Sequence, residues 1–110
     1  MDTTQLLKGV LDLAVLAVLS TEDAYGYEVL RRLRRAGLDD VGDASVYGTL
    51  RRLYGGGHLT SYVVPSEEGP NRKYYSLNAS GRDLLDRSGK TWVGFADTLA
   101  ALLRSGGVAA

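Results

Sequence analysis

Residues with the chemistry to read DNA bases cluster in the run 44–53, whose sequence is ASVYGTLRRL. Built as a helix, the run places Val46, Leu50 and Leu53 on one face, at positions i, i+4 and i+7. The opposite face carries a glycine and two arginines, flanked by a serine and a tyrosine: Gly48, Arg51, Arg52, Ser45 and Tyr47. Arginine and hydroxyl groups hydrogen-bond to base edges in the major groove. Taken alone, however, such a face is more simply explained as a solvated helix surface.

The glycine at position 48 adds to the DNA interpretation. A glycine inside a helix costs about 1 kcal/mol relative to alanine. Close approach of the helix backbone to another molecule is one reason for a sequence to carry it. The run therefore predicts a recognition helix, provided that its neighbours build the fold that such a helix needs.

A second short helix is predicted just upstream, over residues 25–33, with Val29, Leu30 and Leu33 facing inward. Asp23 is the expected N-cap residue of this helix, and Gly37 is expected to end it. Together with residues 44–53, this segment makes the helix pair of a helix-turn-helix.

A β-hairpin is predicted to follow the helix pair. Residues 59–64 and 73–77 are rich in β-branched and aromatic side chains, and they flank a turn-forming stretch at 65–71. The order helix, helix, hairpin is that of a winged helix-turn-helix. We therefore expect a mainly α fold with a small β-hairpin, in which residues 1–77 form the DNA-binding domain.

Charge is unevenly distributed, although the net charge is zero, which by itself argues against a nucleic-acid ligand. Residues 31–60 hold six arginines and three aspartates. Arginines at a helix end also suit a solvated surface or the helix dipole, but six around one turn are better explained as a phosphate-binding surface. Arg72 and Lys73 would place the base of the wing near DNA, and Glu67 and Glu68 would keep its tip in solvent.

The first helix is predicted from about residue 4 to residue 19, and it is apolar on nearly all sides. Such a helix must be covered from several directions, by its own domain and by a partner subunit. The continuous apolar run 13–19 is too short to span a bilayer, and Lys8 and Asp12 interrupt its flank. The start of the chain also lacks the features of a signal peptide. We expect a core helix and no membrane association.

A C-terminal helix is predicted over residues 78–104, with Asn78 as its N-cap residue. Its apolar seam follows 3-4-3-4-3 spacing, which is typical of a coiled coil: Leu85, Ser88, Trp92, Phe95, Leu99, Leu102. The spacing predicts a dimerisation helix, in preference to an intramolecular core stripe. Residues 105–110 carry no helical signal and are expected to be a disordered tail.

Nothing in the composition indicates catalysis. The chain has no cysteine, and its one histidine, His58, has no spaced partner, so neither a metal site nor a cofactor is expected. The glycines at 55–57 lack the lysine and hydroxyl residue of a phosphate-binding loop. The absence of cysteine suits a cytoplasmic protein, and we expect a non-enzyme.

Three motifs, taken in order, carry a family resemblance: YGYE at 25–28, ASVYGTLRRL at 44–53 and RKYYSL at 72–77. With this order and spacing, the chain resembles the PadR-like transcriptional regulators from about Leu6 to Leu103. The resemblance implies a winged helix followed by a dimerisation helix, and a dimer that represses transcription. A two-fold dimer would place its recognition helices about one DNA turn apart, so we expect an inverted-repeat operator. The short C-terminal part is similar to the smaller subfamily, which includes multidrug-responsive repressors. Gly48 departs from the proline of many members, and residues 55–57 depart from their polar residues and single glycine.

The resemblance also implies roles for individual residues. Base contacts are implied for one set on the predicted recognition helix: Ser45, Tyr47, Gly48, Thr49, Arg51. Phosphate contacts are implied for residues around it and in the wing: Tyr25, Arg52, Arg72, Lys73. A planar effector is implied to stack on Trp92. From their positions, we expect Phe95, one turn on, to widen that surface and Val15 of the first helix to close it. Packing of Trp92 in the dimer core is the alternative, and the sequence favours it.

A second function class stays open on the sequence. Winged helices also serve as protein-interaction or assembly modules, since the fold does not dictate DNA binding. The net charge of zero and the acidic wing tip favour that alternative, whereas the arginines at 51 and 52 and the basic base of the wing favour DNA.

Overall fold

The computed structural model describes residues 2–109 of the chain. Four helices and three strands follow in the order α1 (Thr3–Thr21), β1 (Ala24–Tyr25), α2 (Gly26–Arg35), α3 (Asp43–Gly55), β2 (Leu59–Val64), β3 (Arg72–Leu77) and α4 (Ala79–Ser105). The predicted class, mainly α with a small antiparallel sheet, is confirmed. Residues 1 and 110, at the outer ends of the predicted first domain and tail, lie outside the described part.

The core forms where α1, α2 and α3 meet. Each helix contributes a buried apolar stripe, and the first turns of α4 and the strands close it from the side. The largest fully buried side chains are Leu16, Leu19, Leu30, Leu33, Leu50, Val15, Val29, Val46 and Thr49. Burying an aliphatic side chain stabilises a fold by about 1.5–3 kcal/mol, so this cluster fixes how the three helices cross.

The apolar part of α1 is longer than the run 13–19 that the sequence analysis compared with a membrane span. Over its 19 residues it is long and apolar enough to cross a bilayer, a test that core helices also pass. Within residues 2–109, α1 instead packs against α2, α3 and α4, and it buries Leu7, Val15, Leu16 and Leu19. Asp12, in its middle, binds an arginine of α3. These contacts are those of a core helix.

The wing is a three-stranded sheet rather than a simple hairpin. Strands β2 and β3 pair antiparallel, with Tyr62 opposite Tyr74, and the two-residue β1 adds to the other edge of β3. The sequence did not reveal β1, because two residues are too few to show alternation. The prediction that Asp23 caps α2 is wrong. Its carboxylate instead accepts a hydrogen bond from the Tyr62 hydroxyl at 2.7 Å.

Glycine ends α2 as predicted. Gly37 has a φ of 116°, and the next amide, that of Leu38, donates to the carbonyl oxygen of Leu33 at 3.0 Å. This is a Schellman-type ending, which favours glycine because its backbone is left-handed. The loop 36–42 then leads into α3.

The predicted cap at the start of α4 is confirmed. The Asn78 side chain accepts from the Gly81 amide at 2.8 Å and donates to the carbonyl oxygen of Gly57 at 2.8 Å, so it joins α4 to the end of α3. At its other end, α4 runs through Ser105, and the Val108 amide caps it on the carbonyl oxygen of Leu103. Ser105, the first residue of the predicted tail, therefore belongs to α4.

Most of α4 extends away from the winged domain. The radius of gyration is 16.0 Å, compared with about 13 Å for a compact domain of this length. Leu84 and Leu85 pack against the core, but the apolar side chains farther along are exposed: Phe95 by 66% and Leu102 by 63%. A long apolar helix face is therefore left uncovered in the single chain.

Gly81 provides a test of how α4 is attached. A Cβ at this position would overlap the carbonyl oxygen of His58 and lie 2.7 Å from Leu77 Cδ1, whereas a Cβ at Gly94 would meet nothing within 4 Å. We expect Gly81→Ala to lower the free energy of unfolding by about 1–3 kcal/mol. Gly94→Ala should raise it by up to about 1 kcal/mol, because alanine is the better helix former. Urea denaturation measures both, and equal stabilities would contradict this packing.

Candidate nucleic-acid interface

The outward face of α3 is nearly bare of large side chains. Val46, Leu50 and Leu53 are buried against the core. At about 3.6 residues per turn, Ala44, Gly48 and Arg51 lie on the opposite side. Arg51 is exposed and is the long side chain of that central strip. A face of this kind lets the helix backbone come close to a surface while one guanidinium projects forward.

One edge of α3 is fixed by a close contact with the start of α2. The Tyr47 ring packs on Gly26, where a Cβ atom would overlap the ring. Gly26 belongs to the motif YGYE at 25–28. Its packing against Tyr47 was not predicted, because the two residues are twenty-one positions apart in the sequence. Tyr47 remains 38% exposed. The ring is therefore positioned by packing and still reaches solvent beside Arg51.

The other edge of α3 is held by an ion pair to α1. Both terminal nitrogens of Arg52 donate to the Asp12 carboxylate, at 2.9 Å and 3.0 Å. The hydrogen bond and charge of Asp12 raise the pKa of Arg52 above its ordinary value. The phosphate-binding role implied for Arg52 must therefore compete with a bidentate intramolecular partner.

Thr49 does not face outward, contrary to the expectation that it lies near bases. Its side chain is 1% exposed, and its hydroxyl oxygen accepts from Arg52 at 3.2 Å. The residue lies on the flank of the buried stripe, so the base contact is corrected to a structural role. Ser45 is exposed on the α1 side of the helix.

The arginines at the end of α2 are largely engaged within the chain. Arg32 lies 3.1 Å from a Glu22 carboxylate oxygen and 3.3 Å from one of Glu28. Arg34 donates to the carbonyl oxygen of Val41 at 3.0 Å. With Arg52 on Asp12, three of the six arginines therefore have partners within the chain, and phosphate binding by these three would compete with those partners.

Two cations at the end of β3 nearest the hairpin loop are placed on aromatic rings. The Arg72 guanidinium lies 4.7 Å from the centre of the Tyr25 ring, and Lys73 Nζ lies 5.0 Å from that of Tyr54 on α3. Such cation–π contacts orient a long side chain and leave its charge available. Lys73 thus lies beside α3, whereas Arg72 lies against Tyr25 of β1, which supports it.

Stacked tyrosines stiffen the wing beneath these cations. Tyr74 lies between Tyr25 and Tyr62, with ring centroids 5.4 Å and 5.6 Å away. The hydrogen bond from Tyr62 to Asp23 raises the pKa of Tyr62 above its ordinary value, because ionisation would remove the donor. The stack joins all three strands.

Two cavities border α1. A cavity of about 360 Å³ lies between α1 and α3, and one of about 510 Å³ lies between α1 and α4. Trp92 and Phe95, two of the residues implied for an effector, line the larger cavity. Val15, the third, is 0% exposed within the core. Its implied role is therefore corrected, and Leu13 and Leu16 of α1 line the cavity instead.

No catalytic or metal-binding arrangement is found among residues 2–109. His58 Nδ1 lies 2.8 Å from the Ser80 hydroxyl, at the junction of β2 and α4, and so has a structural partner. No group of three or more metal-ligating side chains occurs in this part of the chain.

Comparison with known proteins agrees with this geometry. The family model for the PadR-like transcriptional regulators matches residues 15–87, about two thirds of the chain. The chain belongs to the PadR-like family. It is therefore a transcriptional regulator with a DNA-binding winged helix, and not an enzyme.

Solved structures of related proteins share the fold over most of this chain. A PadR-like regulator from Bacillus cereus is 33% identical, with a TM-score of 0.80 over 90% of this chain and 96% of that one. A PadR family regulator from Clostridium difficile is 25% identical, with a TM-score of 0.77 over 86% and 98%. Bacillus subtilis PadR, solved with operator DNA, is 22% identical, with a TM-score of 0.65 over 71% and 45%, and it shares the fold.

The burial of Thr49 yields a prediction about base preference. We expect Thr49→Val to leave the preference for operator over scrambled duplex unchanged, since the side chain lies inside the domain. Ser45→Ala, at an exposed position of the same helix, should lower that preference, because a base-contacting hydroxyl is lost. Competition binding with labelled duplexes measures both ratios. Loss of preference in the Thr49 variant at unchanged stability would contradict the assignment.

Proposed function

We propose that the protein is a dimeric repressor that binds an inverted-repeat operator and is released from it by a small-molecule effector. The observation that carries the DNA-binding part is the outward face of α3, where Arg51 projects from a strip of small residues. A helix with such a face can lie deep in the major groove, and arginine pairs with the O6 and N7 atoms of guanine there.

In this proposal, α3 contacts the DNA bases and the wing contacts the DNA phosphates. Arg51, Tyr47 and Ser45 read bases, and the Gly48 backbone approaches the groove. Lys73 and Arg72 contact phosphates on either side, since both are exposed on the wing, at the end of β3 nearest the hairpin loop. The operator complex of Bacillus subtilis PadR supports DNA as the ligand of this fold.

The dimer part of the proposal is supported by the uncovered face of α4. Trp92, Phe95, Leu99 and Leu102 recur along one side of the helix and are exposed in the single chain, while Leu85 packs on the core. A second copy of α4 would cover this seam. Two recognition helices related by a two-fold axis then lie about 34 Å apart, which gives an inverted repeat.

Release by an effector is supported by the cavity between α1 and α4. Trp92 and Phe95 offer aromatic surface there, and a ligand that prefers one arrangement of the dimer shifts the population toward it. A dimer bound at a promoter blocks transcription, so release relieves repression. A regulator of this kind acts on DNA in the cytoplasm.

Two substitutions separate base reading from phosphate binding. We expect Arg51→Ala to cost about 1–3 kcal/mol of binding free energy and to relax preference at one base position per half-site. Lys73→Ala should weaken binding to all duplexes and reduce the salt dependence, log Kd against log salt, by about 0.9. Fluorescence anisotropy with DNA from upstream of the chain's own coding region measures both effects.

The control is Lys90→Ala, on α4, where the lysine pairs with Asp86. This variant should keep the wild-type affinity and salt dependence. The DNA-binding proposal is wrong if wild type prefers no segment of the upstream DNA over scrambled sequence. The residue assignment is wrong if the Arg51 and Lys73 variants bind as wild type does.

The dimer proposal is tested on the part of α4 beyond the core. Phe95→Asp, on the seam, should yield a folded monomer, because a carboxylate cannot be buried between two helices without a partner. Val93→Asp is the matched control, since Val93 is similarly exposed but lies away from the seam. Sedimentation velocity measures the mass, and circular dichroism checks that both variants fold. A dimeric Phe95 variant, or a monomeric wild type, would refute the seam.

A further inference from the structure

An ion pair joins α3 to α1 at the rim of the face proposed to enter DNA. Arg52 lies one helical turn after Gly48, and its side chain is 64% exposed. Its terminal nitrogens donate to the Asp12 carboxylate at 2.9 Å and 3.0 Å, and one of them also donates to the Thr49 hydroxyl at 3.2 Å. Three hydrogen bonds therefore hold a guanidinium that would otherwise be free to reach DNA phosphates.

The two sides of α3 are held in different ways. On the α2 side, the Tyr47 ring packs on Gly26. On the α1 side, Ser45 and Arg52 border a cavity of about 360 Å³, so side-chain packing there is incomplete. The ion pair to Asp12 bridges this gap. Ser45, which is proposed to read a base, therefore lies on the side of α3 whose position depends on a polar contact.

Exchange of Arg52 from Asp12 to a DNA phosphate brings little net gain. Phosphate accepts arginine in the same two-pronged way as a carboxylate, so one charge-assisted pair replaces another. The exchange also leaves the Asp12 carboxylate, which is 48% exposed, without this arginine and close to a polyanion. Repulsion between that carboxylate and the phosphates opposes the exchange, even though an exposed ion pair is weak in water.

We propose that Asp12 is a positioning residue for DNA recognition, which keeps Arg52 off the DNA phosphates and uses it to hold the α1 side of α3. Arg52 then has a different role from the phosphate contact that the family resemblance implies. This inference rests on the proposed function, since it concerns how α3 is held while its outward face reads bases.

The dependence of binding on salt distinguishes the two roles of Arg52. A neutral ion pair releases no counterions from DNA, whereas a free arginine on a phosphate adds about 0.9 per bound subunit to the slope of log Kd against log salt. Neutralising Asp12 should free Arg52 and steepen that slope on any duplex. The resulting gain in affinity is then about three- to fourfold larger per subunit at 50 mM salt than at 200 mM.

Loss of the ion pair should also lower the preference for operator over unrelated duplex. The added phosphate contact strengthens binding to both duplexes alike, but only operator binding requires Ser45 and Arg51 to be held in register with bases. We expect the preference to fall about two- to fivefold, which is the range that an exposed ion pair contributes to an equilibrium.

The experiment measures fluorescence anisotropy of the full chain from 50 to 200 mM salt, with the preferred upstream segment and an unrelated duplex of equal length. Asp12→Asn removes the carboxylate charge, and Asp12→Glu is the conservative variant that keeps it. Asp86→Asn is the matched control, because it removes one acidic charge and frees Lys90 on α4, far along the chain from α3. Circular dichroism checks that every variant folds.

The Asp12→Asn variant should steepen the slope by about 0.9 per subunit on both duplexes and lose operator preference. Asp12→Glu should restore both quantities toward wild type, and Asp86→Asn should change neither. The double variant Asp12→Asn with Arg52→Gln, which removes both charges, should keep the wild-type slope but still lose preference.

The proposal is overturned if Asp12→Asn leaves the slope unchanged, or if the double variant lowers it by about 0.9 per subunit, since Arg52 would then contact phosphate in the wild type. It is also overturned if the Asn variant keeps full operator preference. Failure of the proposed function looks different: wild type would prefer no upstream segment, while Asp12→Asn would still steepen the slope on unrelated duplex.

Discussion

Burial of one stripe on α3 sets what the protein can present to DNA. Because Val46, Leu50 and Leu53 lie in the core, the side of α3 that faces outward is fixed. The outward side then falls on small residues and Arg51. Exchanging the stripe for polar residues would remove the recognition face together with the core, so stability and DNA reading depend on the same burial.

Contacts at the two edges of α3 refine this orientation. The Tyr47 ring on Gly26 is a packing contact that cannot give way without moving α2. The Arg52–Asp12 ion pair is polar and exposed, so it can exchange partners. One edge of α3 is therefore held by packing and the other by an exposed ion pair.

The elements could be predicted because their signals are local. Hydrophobic periodicity predicted α2 and α3, and turn-forming residues predicted the hairpin of the wing. Asn78 and Gly37 predicted two helix ends, and the structure confirms both. The errors concern contacts between residues far apart in sequence. Asp23 serves Tyr62 rather than a helix end, and β1 is too short to leave a pattern.

Site residues were less predictable for the same reason. A helical wheel puts Thr49 at the border of the buried stripe, and only the packing of α1 shows that it lies inside. Asp12 and Arg52 are forty positions apart, so no spacing rule links them. The exposed seam of α4 was visible in the sequence because its repeat is local.

Methylation interference on the upstream DNA tests the central claim most directly, since it asks whether Arg51 meets guanine N7 in the major groove. The account predicts one interfering guanine per half-site, the two related by symmetry and about one helical turn apart, and no such interference for Arg51→Ala. Interference confined to minor-groove adenines, or the same guanines interfering for wild type and variant, would contradict it.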